Sequence, residues 1–317
     1  MAQKKYENIS FANYLVNTKQ ELHQTLDKVV EKVDWTAFET LLKPVHNKNF
    51  GRKSYPAVLM FRCLLLQNWY NLSDYELEKA IDDRLSFRRF VGLDYTQNVP
   101  DHSSFCRFRD ELVKQHLDTR LFNELSRQIE KMGLVIKKGT LVDASILEAD
   151  VGKPKPKNDG SGGSSRHDSD ASWTKKNGKS YFGYKMHVGV DQESGIIRRQ
   201  AFTPAHVHDS NLFKELVSKD EECVYADKGY PSEEHHRFLK EHKIKNGILF
   251  KNEKRDSIFV KLNAYISGIR SRVETVFGVL KRHYGYRRVR YRRLAKNALQ
   301  FSFLCMCYNL KKVCALR

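Results

Sequence analysis

Three acidic residues stand out by their surroundings. Asp143 interrupts the apolar run TLVDASI, and Asp227 closes VYAD just before Lys-Gly-Tyr-Pro. Glu274 is the one carboxylate between Tyr265 and Arg317, a stretch with thirteen Lys and Arg. An acid weakens a segment that only holds a polyanion, so its presence needs a reason. Carboxylates gathered in one place repel one another unless a cation lies among them, and hard oxygen donors suit Mg²⁺ or Mn²⁺. Two such ions about 4 Å apart activate a water or a 3′-hydroxyl and stabilise the leaving oxygen of a phosphodiester. The chemistry implied is metal-assisted phosphodiester cleavage, with the flanking cations holding phosphates. Taken singly, each acid has a plainer reading. Asp143 reads as an edge or turn residue and Asp227 as turn chemistry. Glu274 reads as the i,i+4 partner of Arg270, worth about 0.3–0.5 kcal/mol on a surface.

The totals agree with a polyanionic partner. The 317 residues carry 56 Lys and Arg against 38 Asp and Glu, a formal charge of +18, and most of that excess lies in the C-terminal segment. A field so concentrated favours phosphate backbones. A membrane partner is not expected, because LAKNALQFSFLCMCYNL is broken by Lys296, Asn297, Gln300, Ser302 and Asn309. The N-terminus lacks the apolar run of a signal peptide. The six Cys form no CxxC pair and read as reduced thiols, so a cytoplasmic location is expected.

Positioning these residues requires particular elements. Residues 1–135 read as an all-helical N-terminal domain: HQTLDKVVEKV and WTAFETLLKPV have helical apolar spacing, PAVLMFRCLLLQNWY is apolar all round, and Ser73–Glu76 fits a capping box. Residues 136–317 read as a catalytic domain. TLVDASI is its first strand, and residues of about 152–178, Pro-, Gly-, Ser- and charge-rich, form a flexible insertion. YFGYKMHVGV alternates, with Phe182, Tyr184, Met186, Val188 and Val190 on one face, and IIRRQAFT returns beside it. Asp209-Ser210 caps a helix over NLFKELVSK, ECVYAD is the fourth strand, Ser232 caps another helix, and NGILF is the fifth strand. A helix from about Ser257 to Tyr284 and a final apolar helix end the chain. The order βββαβαβα gives an α/β mixed sheet covered by helices, the order of the ribonuclease-H-like fold. There the first and fourth strands are neighbours, which brings Asp143 near Asp227. At 100° per residue, Arg270, Glu274 and Lys281 form one stripe beside the apolar face of Ile266, Ile269, Val273, Val276 and Leu280.

Further candidates follow for DNA contact. Lys185 and His187, on the polar face of the second strand, border the proposed site. Arg282 follows Lys281, and RRVRYRR supplies Arg287, Arg288, Arg290, Arg292 and Arg293 with Tyr286 and Tyr291 interleaved for stacking. In the helical domain Arg84, Arg88, Arg89, Arg107 and Arg109 are candidates to face DNA ends. His206, His208 and Asp209, with His235 and His236, read as loop and cap residues more readily than as a metal site.

From VDASI onward the chain resembles the DDE transposases of bacterial insertion sequences, specifically the insertion sequence 5 group. The resemblance rests on TLVDASI, YFGYKMHVGVD, TPAHVHDS, VYADKGY and RSRVETVFGVLKR, and PDHSSFCRFRDEL extends it into the helical domain. It implies that Asp143, Asp227 and Glu274 are the catalytic, metal-holding carboxylates, with Mg²⁺ or Mn²⁺, two ions, as cofactor. It also implies double-stranded DNA as partner, namely the element's terminal inverted repeats and target DNA, with a homo-oligomer acting on it near the bacterial nucleoid. Arg270, Glu274 and Lys281 fit the family's Tyr-Arg-Glu-Lys signature, but Ser267 stands at the Tyr position. The rival readings are another ribonuclease-H-like nuclease and a non-catalytic DNA-binding protein derived from a transposase.

Overall fold

The computed structural model describes residues 24–46, 54–151, 168–250 and 258–316. They fall into two units, one holding the chain up to Met132 together with Ser302–Arg317, the other Gly133–Phe301.

The first unit is helical: α1 (Gln24–Lys32), α2 (Trp35–Leu42), α3 (Ala57–Trp69), α4 (Asp74–Asp83), α5 (Leu85–Val91), α6 (His102–Lys114) and α7 (Asp118–Lys131). The apolar-all-round α3 is buried along nearly its whole length. Its Phe61 packs between Phe38 and Phe303, with ring centroids at 5.0 and 5.4 Å. Both reciprocal bonds of the Ser73–Glu76 capping box are present. Three arginines expected to face DNA are instead used inside this unit. Arg88 is buried and donates to Asp82 and to the carbonyls of Asp94, Tyr95 and Gln97. Arg89 makes a two-bond fork on Asp27, and Arg109, also buried, pairs with Asp74. A guanidinium satisfies several turn carbonyls and a carboxylate at once, which is why sequence alone mistakes it for a free cation. Arg84 and Arg107 are exposed.

The second unit is built on a six-stranded mixed sheet: β1 (Thr140–Glu148), β2 (Ser172–Lys176), β3 (Lys179–Asp191), β4 (Ile197–Pro204), β5 (Cys223–Ala226) and β6 (Lys245–Ile248). The order is β2-β3-β1-β5-β6, and β4 also pairs with β3. The β1/β3, β2/β3 and β3/β4 pairs are antiparallel, while β1/β5 and β5/β6 are parallel. The alternation of β3 is realised: Phe182, Tyr184, Met186, Val188 and Val190 are all buried. Helices α8 (Phe213–Leu216), α9 (Glu233–Glu241), α10 (Ile258–Arg270) and α11 (Arg272–Gly278) follow, and α12 (Leu294–Ala315) begins in this unit. No helix among the described residues is long and apolar enough to cross a membrane.

Three local expectations are revised. Of the insertion at about 152–178, residues 152–167 lie outside the described residues, and the remainder forms β2 and a tight turn. Asn177 and Gly178 both have positive φ (51° and 77°), the geometry of a two-residue hairpin loop. Buried Asp168 anchors the start by accepting from the Tyr184 hydroxyl and the Arg293 N–H. Secondly, the helix over NLFKELVSK shrinks to a 3₁₀ turn and the short α8, capped by His208 rather than Asp209, whose carboxylate pairs with Lys185 at 2.8 Å. Thirdly, the helix expected from Ser257, itself outside the described residues, is interrupted at Ser271. The Ser271 hydroxyl donates back to Gly268, the Glu274 N–H reaches only to Ser271, and the segment ends in a π turn over Val279–His283.

At Gly183, β3 changes partner from β2 to β4 along one edge. Its φ is +155°, and a Cβ there would stand 2.1 Å from the Leu147 carbonyl oxygen. Gly183→Ala is therefore expected to cost about 3 kcal/mol, read as a lowered midpoint in denaturant unfolding.

Candidate active site

Strand register decides which side chains share a space. Asp143 lies opposite Val188 across the β1/β3 pair, and side chains alternate between faces. Asp143 therefore lies on the face that α11 covers, while Ala144, opposite His187, lies on the other. The parallel β1/β5 pairing brings the end of β5, followed by Asp227, beside the middle of β1. Glu274 is on α11, whose Val273 and Val276 are buried. All three carboxylates line one cleft within the second unit, with Arg270, Lys281, Arg282 and Arg287.

The floor of this cleft is held by a cation. Arg270 Nη2 stands 3.1 Å from Asp143 Oδ2, and Nη1 3.8 Å from Asp227 Oδ1. Asp143 is mostly buried, and that burial raises its carboxyl above the usual range against the pull of Arg270 and of the Ala144 N–H. Asp227 is half exposed and accepts from the Lys228 N–H at 2.7 Å. The Arg270–Glu274 ion pair of the plainer reading is not made. Arg270 turns to the two aspartates, and Glu274 is exposed with no side-chain partner among the described residues.

An all-oxygen donor set around a point already taken by a positive group fits a divalent ion in kind. Among the described residues no three His, Cys, Asp or Glu side chains stand at metal-holding spacing, so the carboxylates share a cleft without converging on one point.

The cationic candidates divide. Lys281 reaches across the cleft and donates to the Ile146 carbonyl at 2.9 Å, and Arg282 and Arg287 line the rim. Arg288 comes within 3.9 Å of Glu148. Arg290, Arg292 and Arg293 are exposed and lie outside the cleft lining. Tyr286 is buried with its hydroxyl donating to the Asn297 carbonyl, so this ring is not available for stacking. Lys185 and His187 do not border the site, because register places them on the opposite face. Lys185 is bonded to Asp209 and the Val207 carbonyl, and His187 is fully buried beside Thr203. Burial pulls His187 down to about 4, which leaves the ring neutral at pH 7. His206 and His208 bond to serines, and His235 bonds to the Tyr230 carbonyl.

Sequence reasoning missed Lys176, Tyr181 and Glu148, which also line the cleft. The Lys-Asn-Gly-Lys turn within the supposed insertion was the available signal for the first two.

Residues 136–310 match a family model described as the transposase DDE domain, and residues 15–111 match another described as a transposase domain. No solved structure matches the chain. The DDE-domain match spans more than half of the sequence and includes every carboxylate of the cleft: the chain belongs to the DDE-domain transposases.

Proposed function

We propose that this transposase, of the insertion sequence 5 group, cuts the ends of its element and joins them to target DNA on a ribonuclease-H-like domain. The observation that carries this reading is the shared cleft, lined by Asp143, Asp227 and Glu274 together with Arg270, Lys281, Arg282 and Arg287. The strand order supports the fold, since two antiparallel neighbours of β1's meander lie on one side and two parallel strands on the other.

In this reading Asp143, Asp227 and Glu274 hold Mg²⁺ or Mn²⁺, two ions. When bound, the ions lower the charge on the phosphoryl oxygens and favour the attacking and leaving oxygens of an in-line displacement. Arg270 partly offsets the charge of the aspartate pair, and would give up that contact if another cation took the place. Lys281, Arg282 and Arg287 hold phosphates beside the bond to be cut. Water attacks phosphorus, the P–O3′ bond breaks, and the departing 3′-oxygen is protonated as water loses its proton. The freed 3′-hydroxyl then attacks a target phosphorus, and the target's own 3′-oxygen leaves with the proton. No covalent protein–DNA intermediate is formed. The helical first unit, along with Arg288, Arg290, Arg292 and Arg293, contacts terminal inverted repeats, and the chain works as a homo-oligomer on DNA at the nucleoid.

The test pairs binding with cleavage. The DNA flanking the coding segment should carry short inverted repeats, and duplexes ending in them should be bound and cut with Mg²⁺. Asp227→Asn and Glu274→Gln should bind these duplexes within about twofold of wild type and lose at least about 10³-fold in cleavage rate. Undiminished cleavage would end the reading, and cleavage never followed by joining would favour a plain nuclease. Asp143→Asn should lose cleavage while gaining stability. Its carboxyl is raised in the folded state, so that state binds the proton more tightly than the unfolded chain, and ionisation at neutral pH costs stability. The variant should therefore melt above wild type at pH 7, with the gap closing as pH falls and Asp143 protonates. Calorimetric melts across pH measure this.

A further inference from the structure

The β2–β3 hairpin is an addition to the strand order that the fold requires, and its charges are one-signed. From Ser172 to Tyr181 it carries Lys175, Lys176 and Lys179 and no acid. Its tight turn sets Lys176 opposite Lys179 and fixes the direction of the tip. Lys176 and Tyr181 enter the lining of the carboxylate cleft, facing a wall that offers Lys281, Arg282 and Arg287. Lys176 has no carboxylate within ion-pairing distance among the described residues. Across from it, Lys281 is more than half buried. Burial draws its ammonium below the usual lysine range and Lys176 draws it further down, against the opposite pull of Glu148. Like charges lining one cleft are unfavourable until an anion lies between them.

We propose that this hairpin is one wall of the DNA groove, with Lys176 and Lys281 seating one backbone phosphate of the strand that lies over Asp143, Asp227 and Glu274. This rests on the reading of the cleft as a DNA-cutting site. The partner is a nucleic-acid strand because Lys176, Lys281, Arg282 and Arg287 together line one cleft beside the carboxylates, more cations than a lone phosphate needs and as a chain of phosphates requires. Lys176 acts as a binding residue and leaves the chemistry to the carboxylates.

Adjacent strand residues point to opposite faces, which supplies a matched control. Lys175 carries the same charge on the same exposed strand and does not line the cleft. Lys176→Gln and Lys175→Gln should both melt as wild type does. Affinity for a fluorescent duplex carrying the element's terminal repeat would be followed by anisotropy over a range of salt. Lys176→Gln should bind several-fold more weakly, with the slope of log affinity against log salt reduced by about one. Lys175→Gln should leave both nearly unchanged, and Lys176→Arg should restore them. Equal behaviour of the two Gln variants would overturn the proposal while leaving the transposase reading intact. Failure of that reading shows instead in the wild type, as binding without Mg²⁺-dependent cleavage, and a wild type that does not bind the duplex overturns both.

Discussion

Two acids can be brought together inside a protein only if something positive accompanies them. Here the guanidinium of Arg270 does so, within hydrogen-bonding distance of Asp143 and close to Asp227. The compensation is partial, because burial still holds the Asp143 carboxyl above its ordinary range. An isolated charge in a low-dielectric site is costly by several kcal/mol, so the aspartates, the arginine and the elements carrying them cannot vary independently. The parallel β1/β5 pairing brings the aspartates together, and the tightened turn at Ser271 ends α10 on Arg270 and starts α11 toward Glu274. A guanidinium is always charged and presents its donors in a fixed fork, which suits it to bridge two carboxylates from one helix end.

The opposite face of the sheet is arranged so that it does not compete. Lys185 is satisfied by Asp209 and a carbonyl, and His187 is buried and neutral. Arg88, Arg89 and Arg109 of the helical unit are likewise tied to carboxylates and turn carbonyls. These bonds leave the net +18 unchanged, since it is the excess of 56 Lys and Arg over 38 Asp and Glu, but they withdraw particular cations from contact with a polyanion. Counting cations in the sequence overstates the surface available to a polyanion and misplaces part of it.

The fold was legible where one period governs a segment. The two-residue alternation of β3 placed five buried side chains without error, and the Ser73–Glu76 box marked a helix start. Arg270, Glu274 and Lys281 do line one cleft, but not as a stripe on one regular helix: the segment breaks at Ser271 and Lys281 lies in a π turn. What was not legible depended on partners distant in sequence. Nothing near Lys185 or His187 announces that the polar face of their strand is buried. Nothing near Arg270 says that its carboxylates are Asp143 and Asp227 rather than Glu274 four residues on. The residues after Asp168 look too polar to order, and they do so because that acid caps the Arg293 backbone and takes the Tyr184 hydroxyl. Composition suggests a linker, while a buried long-range bond makes a strand.

Both signs line the cleft, with Arg270 set against the two aspartates, and this has a consequence for the order in which it would fill. A phosphate arriving alone would meet Lys176, Lys281, Arg282 and Arg287 but also face Asp143, Asp227, Glu274 and Glu148. A divalent ion arriving alone would have to displace Arg270 and would add to the repulsion among the rim cations. With both present, each would relieve the other: the phosphate would offset the basic side chains, the ion the carboxylates, and Arg270 would have an anion to turn toward. On Coulombic grounds the cleft therefore favours joint occupancy over either partner alone. In the proposed reading, an ion without DNA would be held weakly, and the cutting chemistry would assemble chiefly where a strand is already in place.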